Sequence, residues 1–422
     1  MDKMKWYLDA RYGLFIHWGL YAIPAGNWKG KMIPSGTEWI MKNAQIPFAE
    51  YSKLADSFNP VDFDADEWMR MAKEEFGVRY VVFTAKHHDG FAMYDSHCSD
   101  YNVIHTPYGK DIVRALANAC EKHGLVFCLY YSQLQDWAEK NGFGNTWDFK
   151  AASEEDFRKY LDEKVKPQLR ELLTEYGKVG LIWFDTPYEM PRAQCAELAD
   201  FVRALQPECL INGRIGYNLG DYRQTSDNSI PLLAYPDPWE ACVTLNYTWG
   251  YRAEDDNWKS PKRIVGMLAE IVGKGGNLLL NAGPDAMGNI PPASVEVFKT
   301  VGAWLKENGE SIYGASAAPD FPYKLDWGCF TYKRETRTLY MHIIHWPYKN
   351  HGICITGLTT KVRRARVLKT GEEIPFFQTY ETARDEHRLR PVLPAEAPDA
   401  LDTVIAFELE DEPAVQSIID RR

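Results

Sequence analysis

Seven short, continuously apolar runs punctuate residues 13–283: GLFIHW (13–18), YVVFTAK (80–86), LVFCLYYS (125–132), GLIWFD (180–185), CLING (209–213), ACVTLN (241–246) and NLLLNAG (277–283). A strand with one wet face alternates apolar and polar residues. Strands covered on both faces do not, and crossover helices give a parallel sheet that double covering. The stretches between these runs carry helical period. Residues 153–176 place Phe157, Leu161, Leu169, Leu172, Leu173 and Tyr176 largely on one stripe. Ser153 and Asp156 give that helix a start signal and Gly177 a stop, while Pro167 should kink or divide it. Residues 64–77 repeat the pattern, with Trp68, Met71, Ala72 and Phe76 expected inside and Gly77 at the end. Seven such alternations predict an α/β fold, a (β/α)₈-like barrel whose faint remaining strand falls at DYRQTS (221–226). A doubly wound open sheet is the competing arrangement, but no GxGxxG follows the first strand.

The pattern changes after about residue 315. Residues 338–347 (TLYMHIIHWP), 362–368 (VRRARVL) and 403–409 (TVIAFEL) alternate or are β-branched, and turn signals such as TGEE and EDEP separate them. They predict a C-terminal antiparallel β-sandwich, residues 316–422, after a barrel of residues 1–315. KENGESIYGASAAPDFP (306–322) reads as the linker. A length of 422 residues suits one large domain and one small one.

Charge removes several kinds of partner. The formal net charge is −11, so phosphate backbones are repelled and nucleic acid is not expected. No apolar window is long enough to span a bilayer, so no membrane partner is expected. The N-terminus MDKMKWYLDARYGLF does not read as a signal peptide. The eight cysteines are scattered without a CxxC pair, and we read them as reduced core residues of a cytoplasmic protein. Oligomeric state is left open, a homo-oligomer included. Aromatic residues make up 14% of the chain; this fits a packed core, and also a sugar site, where flat rings cover apolar pyranose faces.

In a parallel barrel the site forms where strands end. The strand ends carry His17–Trp18, Lys86–His87–His88–Asp89, Tyr130–Tyr131–Ser132, Asp185, Asn212–Gly213–Arg214 and Asn246, followed by Trp249, while the sixth connection carries Asp227. LIWF (181–184) thus delivers the Asp185 carboxylate to a rim. His17 with His87, His88 and Asp89 would suit a metal. Adjacent residues of a strand face opposite ways, however, so only one of His87 and His88 should enter the pocket, and a hydroxyl-binding role is preferred. We therefore expect no metal and no cofactor.

RYGLFIHWGLYAIPAGNWKG (11–30), TEWI (37–40), AKHHDGFAMYDS (85–96), LYYS (129–132), LIWFD (181–185), INGR (211–214), PWEACVTLNYTWGY (238–251) and GGNLLLNAGPDAMGNIP (275–291) together resemble the α-L-fucosidases of glycoside hydrolase family 29. The likeness spans roughly residues 4–315 in order. It implies a (β/α)₈-like catalytic barrel followed by a β-sandwich, and retaining hydrolysis of terminal α-L-fucose from fucosylated oligosaccharides or glycoconjugates. That reaction needs two carboxyl groups roughly 5–5.5 Å apart, one attacking the anomeric carbon, the other serving as acid and then base.

By this resemblance Asp185 matches the nucleophile. The acid/base is usually a Glu between the INGR-like and PWE motifs. Thr225–Ser226–Asp227 lies where many relatives have Thr-Pro-Glu, so Asp227 is the leading candidate. Glu240 is the runner-up, expected to precede strand seven at the wrong end of the barrel, where a structural salt bridge suits it better; Asp221 is a further alternative. His17, Glu38, Trp39, His87, His88, Tyr130 or Tyr131, Trp183 and Arg214 match the fucose pocket. Tyr130 is preferred over Tyr131, Trp39 and Trp249 suit stacking, and Arg214 should pair with a catalytic carboxylate. The 275–291 stretch is read mainly as structural closure. An intact pocket that binds fucose with hydrolysis weak or lost is the alternative function. Linkage preference is left open, and the aglycone is left to loops around 24–36, 133–150 and 215–238, with NWKGKMIPSG (27–36) and GFGNTWDF (142–149) as outer-subsite candidates.

Overall fold

A computed structural model describes residues 3–348 and 351–417. Eight parallel strands form one curled sheet: β1 (Tyr12–Ile16), β2 (Tyr80–Lys86), β3 (Val126–Tyr131), β4 (Leu181–Phe184), β5 (Leu210–Ile211), β6 (Arg223–Gln224), β7 (Trp239–Thr244) and β8 (Gly276–Ala282). Their order is β5-β4-β3-β2-β1-β8-β7-β6, and a parallel bridge between Asn212 and Tyr222 joins the two edges into a barrel. The faint strand expected at 221–226 is β6.

The continuously apolar runs hide a period of two. Phe15, Val82, Tyr130, Leu181, Trp183, Cys242 and Leu279 pack together inside the barrel. Their sequence neighbours Leu14, Ile16, Val81, Phe83, Leu129, Ile182, Val243, Leu278 and Leu280 pack outward against the helices. Both faces are dry, which is why the sequence does not alternate. Gly13 points inward, where a Cβ would lie 2.4 Å from the Tyr80 ring, so only glycine fits. The helix Lys5–Ala10 plugs the floor, adding Tyr7 to the interior cluster.

The helices match expectation with instructive differences. Ser153 and Asp156 form a reciprocal capping box for Glu154–Tyr160. The element is divided as Pro167 implies: a π-turn over Leu161–Val165 separates Glu154–Tyr160 from Lys166–Thr174, and Pro167 sits in the first turn of the second helix, where its missing N–H is tolerated. In Ala65–Glu74 the buried residues are Trp68, Met69 and Ala72, whereas Met71 is half-buried; Asp64 caps the start. The expected alternation fails between β5 and β7. No helix forms there, only a 3₁₀ turn at Gly213–Ile215, and β5 and β6 are two residues each. That irregular stretch is free to carry side chains to the mouth.

Beyond the barrel lie β9 (Ser316–Ala317), β10 (Gly328–Lys333), β11 (Thr338–Ile343), β12 (Ile355–Thr356), β13 (Val362–Val367), β14 (Phe376–Glu381), β15 (Glu386–Pro391) and β16 (Thr403–Leu409). They make a five-stranded sheet, β9-β10-β11-β16-β13, and a three-stranded sheet, β12-β15-β14, antiparallel throughout. Phe330, Leu339, Met341, Ile355, Leu389, Ile405 and Phe407 form their shared core. The stretch read as linker is partly regular: Lys306–Asn308 completes the helix Pro292–Asn308, and Ser316–Ala317 is already sheet. The halves meet where the Trp304 indole of the barrel's last helix donates to the Asp402 carbonyl at 2.9 Å; within the sandwich, Asp402 Oδ2 also meets His342 Nδ1 at 2.6 Å, a buried pair.

Candidate active site

The residue after β4 is Asp185, 8% exposed. Its Oδ1 accepts from Arg214 Nη1 at 2.8 Å and from the Thr186 N–H at 2.8 Å. Its Oδ2 accepts from the Tyr130 hydroxyl at 3.0 Å, and His88 Nε2 faces it at 3.5 Å. Burial by itself would raise this carboxyl. The Arg214 guanidinium and the His88 imidazole outweigh burial and hold it far below the usual carboxylate range. Asp185 is therefore an anion at every working pH, as a nucleophile must be.

Arg214 comes from the helix-free stretch after β5. Its Nη2 reaches Asp227 on the loop after β6 and the Thr225 carbonyl at 3.2 Å. One guanidinium thus holds both acids, one on each nitrogen. Its plane lies 4.7 Å from the Trp183 ring centre. Asp227 is 46% exposed in its side chain, so it is the member open to a leaving group.

The pocket floor is aromatic. Tyr130 stacks on Trp183 at 5.6 Å and 21°, and His87 stacks on Tyr130 at 5.2 Å and 12°. Trp39 meets His88 at 4.9 Å and Trp249 meets His17 at 5.0 Å, both tryptophans half-buried. Tyr131 turns away and donates to Gln168 at 2.8 Å. Period two therefore separates Tyr130 from Tyr131, as expected. It does not separate His87 from His88. Both follow the last residue of β2, their rings lie 4.2 Å apart, and both border the site. Asp89 and Lys86 point elsewhere, to the Tyr51 hydroxyl at 3.0 Å and to Asp136 at 3.0 Å.

Hydrogen bonding fixes the imidazole tautomers. The Ser132 hydroxyl donates to the Gln135 carbonyl at 2.7 Å, so His88 Nδ1 is the donor in its 2.7 Å contact with Ser132. Asn281 donates through Nδ2 to the Trp249 carbonyl at 2.7 Å, so its Oδ1 accepts from His17 Nδ1, also at 2.7 Å. In His17 this leaves Nε2 as an acceptor, whereas His88 Nε2 faces the Asp185 carboxylate and supports the anion only as an N–H. Burial lowers the His17 imidazole to about 4 and depresses His87 and His88 as well. His87 Nδ1 has no hydrogen-bond partner among the described residues. These neutral rings are poised to meet hydroxyl groups. Asn281, within the stretch read mainly as closure, reaches the site and orients one of them.

Glu38 is buried in a 3₁₀ turn, and its Oε2 accepts the Gly250 N–H at 3.0 Å. Burial pushes its carboxyl up to about 7. Below that it can donate as well as accept.

Glu240 is corrected on two counts. It lies inside β7 rather than before it, fully buried at the barrel floor. It makes no salt bridge there among the described residues; Tyr80 (2.7 Å), Trp183 Nε1 (2.9 Å) and Tyr7 (3.3 Å) donate to it. It cannot reach a glycosidic oxygen, but it anchors the indole on which Arg214 rests. Asp221 also lies away from the mouth, accepting the Ile211 N–H and pairing with Lys3 at 2.7 Å.

Burial pushes the Glu240 carboxyl up to about 7 from an ordinary 4.5. Between those values the unfolded chain sheds a proton that the folded chain keeps, so stability falls as pH rises through the window and is level above it. Glu240→Gln removes that slope. Denaturant titrations should show the variant gaining on the parent by up to roughly 3 kcal/mol between the two ends of the window. A difference that does not change with pH would mean that Glu240 is already ionised in the fold.

A parallel barrel that brings two carboxylic acids to one guanidinium, above stacked rings and neutral imidazoles, has the construction of a glycoside hydrolase. Residues 1–310 match the alpha-L-fucosidase family model, and the chain belongs to that family, within glycoside hydrolase family 29. It is 30% identical to the tissue alpha-L-fucosidase of Bos taurus over 397 residues, covering 86% of this chain and 80% of that one. Alpha-L-fucosidase isoenzyme 1 from Paenibacillus thiaminolyticus superposes with a TM-score of 0.86 at 37% identity, over 97% of this chain and 99% of that one. A family 29 enzyme from Bacteroides thetaiotaomicron is similar at 30% identity and TM-score 0.86, over 97% and 96%. That structure is a covalent intermediate trapped with 2-fluoro-fucosyl fluoride in a Glu-to-Gln mutant.

Proposed function

We propose that this protein hydrolyses terminal α-L-fucose from fucosylated glycans with retention of configuration. Asp185 is the nucleophile and Asp227 the acid and base. The observation that carries this reading is the shared guanidinium: Arg214 Nη1 binds Asp185 and Nη2 binds Asp227. Fucose sits over Tyr130 and Trp183, with Trp39 and Trp249 against its apolar edges. Glu38, His17, His87 and His88 take its hydroxyls. Asp185 attacks the anomeric carbon while Asp227 gives its proton to the departing oxygen. Esterification removes the charge of Asp185 and leaves Arg214 to the Asp227 carboxylate, which then draws the proton from water. The chemistry needs no cofactor, and the eight free cysteines suit a reducing, cytoplasmic setting.

Proton NMR during hydrolysis of 4-nitrophenyl α-L-fucoside tests this. The α anomer of fucose should appear first, before mutarotation. Initial β-fucose would make the enzyme inverting, and nitrophenol never released would make the site a binding pocket.

A further inference from the structure

Three consecutive barrel loops present aromatic rings to solvent at the mouth. Phe143, after β3, is 40% exposed; Tyr188, after β4, 55%; Tyr217, after β5, 52%. Single exposed rings are ordinary, but three on adjacent loops form a surface. Phe143 and Tyr188 stand 6.1 Å apart, centroid to centroid, at 46°. The Tyr217 hydroxyl donates to the Met190 carbonyl at 3.1 Å, and Gln135 Nε2 donates to Thr186 Oγ1 at 2.9 Å, so the three loops are tied together. Tyr188 is three residues from Asp185 and within electrostatic reach of Asp185 and Arg214. Around the barrel these loops lead directly to the loop of Asp227. The hairpin at Asn27–Trp28 and Lys31–Met32, the other outer-subsite candidate, follows β1 on the opposite side.

The backbone is bent where it presents two of these rings. Thr186 (φ 42°), Tyr188 (φ 34°) and Tyr217 (φ 53°) are all left-handed, a conformation that β-branched and bulky residues rarely adopt. Burial does not repay that strain, because two of the three side chains are more than half exposed. Strain of this kind persists where a site needs a side chain held in one place.

We infer that Phe143, Tyr188 and Tyr217 form the leaving-group subsite, and that it takes a second pyranose laid on the rings by its apolar C–H face. Asp227 protonates the glycosidic oxygen, so what stands beyond it is whatever that oxygen carries, and flat rings match a pyranose face. The inference rests on the fucoside hydrolysis proposed above.

The test compares kcat/KM for an α-fucosylated disaccharide with that for α-L-fucosyl fluoride, whose leaving group is one atom. In Tyr188→Ala, and separately in Phe143→Ala, the disaccharide-to-fluoride ratio should fall about five- to tenfold, mostly through KM. Tyr188→Phe should keep the ratio, as should Phe377→Ala on the distant, exposed β14. A ratio unchanged in both alanine variants, or a Tyr188→Phe ratio as low as that of Tyr188→Ala, would overturn the subsite. A parent protein that cannot hydrolyse the fluoride would overturn the activity itself, and the subsite with it.

Discussion

Asp185→Ala is expected to lower kcat on every fucoside by on the order of 10⁴-fold or more. The loss is large because the carboxylate is the attacking atom as well as a charge. Tyr130, Arg214, His88 and the Thr186 N–H all converge on it, and no neighbouring acid can replace it: Glu240 is sealed below the floor, and Glu38 is bound to the Gly250 N–H. Azide small enough to fill the vacated space should restore part of the rate. It would attack the sugar once, from the side where Asp185 stood, so the product should be the inverted β-L-fucosyl azide. Residual activity within tenfold of the parent would remove Asp185 from the chemistry.

Asp227→Ala should behave differently. Loss of a general acid costs about 10²–10⁴-fold where the leaving oxygen needs a proton. Fucosyl fluoride and nitrophenyl fucosides depart readily, so their first step should suffer far less than that of a glycan. The second step slows in every case, because water has lost its base. Azide needs no base, and should displace Asp185 from the open face. Two displacements give the α-L-fucosyl azide, with configuration retained. The two variants are therefore told apart by the anomer of one product. No azide adduct from Asp227→Ala, with adduct from another acidic variant, would move the acid/base assignment to that residue.

Much of this was legible in the chain because the barrel repeats a local pattern. Doubly buried strands announce themselves as apolar runs, and the rule that sites lie at strand ends then points to Asp185, His17 and the Tyr130–Tyr131 pair without any contact being known; Trp183 and the choice of Tyr130 rest on the family resemblance. Reading failed where local pattern stops governing. The 212–238 stretch lacks helix, so counting alternations overstated its regularity. Glu240 falls outside the strand in the sequence because the apolar run begins at Ala241; two tyrosines and a tryptophan distant in sequence make its carboxyl tolerable inside β7. His87 and His88 were separated by a strand rule that ended one residue too early, at Lys86. Asn281 is the one residue of the closing stretch expected to reach the rim, but its partner, His17, lies 264 residues away, so no local pattern joins the two. In the sandwich the strands β10, β14 and β15 went unread, since their half-buried faces carry many polar residues. Cys354 is exposed, although the cysteines had been read as core.

Retention requires Asp185 to carry the sugar between two steps. Incubation with 2-deoxy-2-fluoro-α-L-fucosyl fluoride, followed by proteolysis and peptide mass spectrometry, tests this directly. The 2-fluorine slows both steps, and the fluoride leaves readily enough for the ester to accumulate. One fluorofucosyl group per chain is expected on the peptide containing LIWFDT (181–186), at Asp185, and Asp185→Ala should take up none. A label on Asp227, Glu38 or any other side chain, or rapid turnover with no label at all, would contradict it.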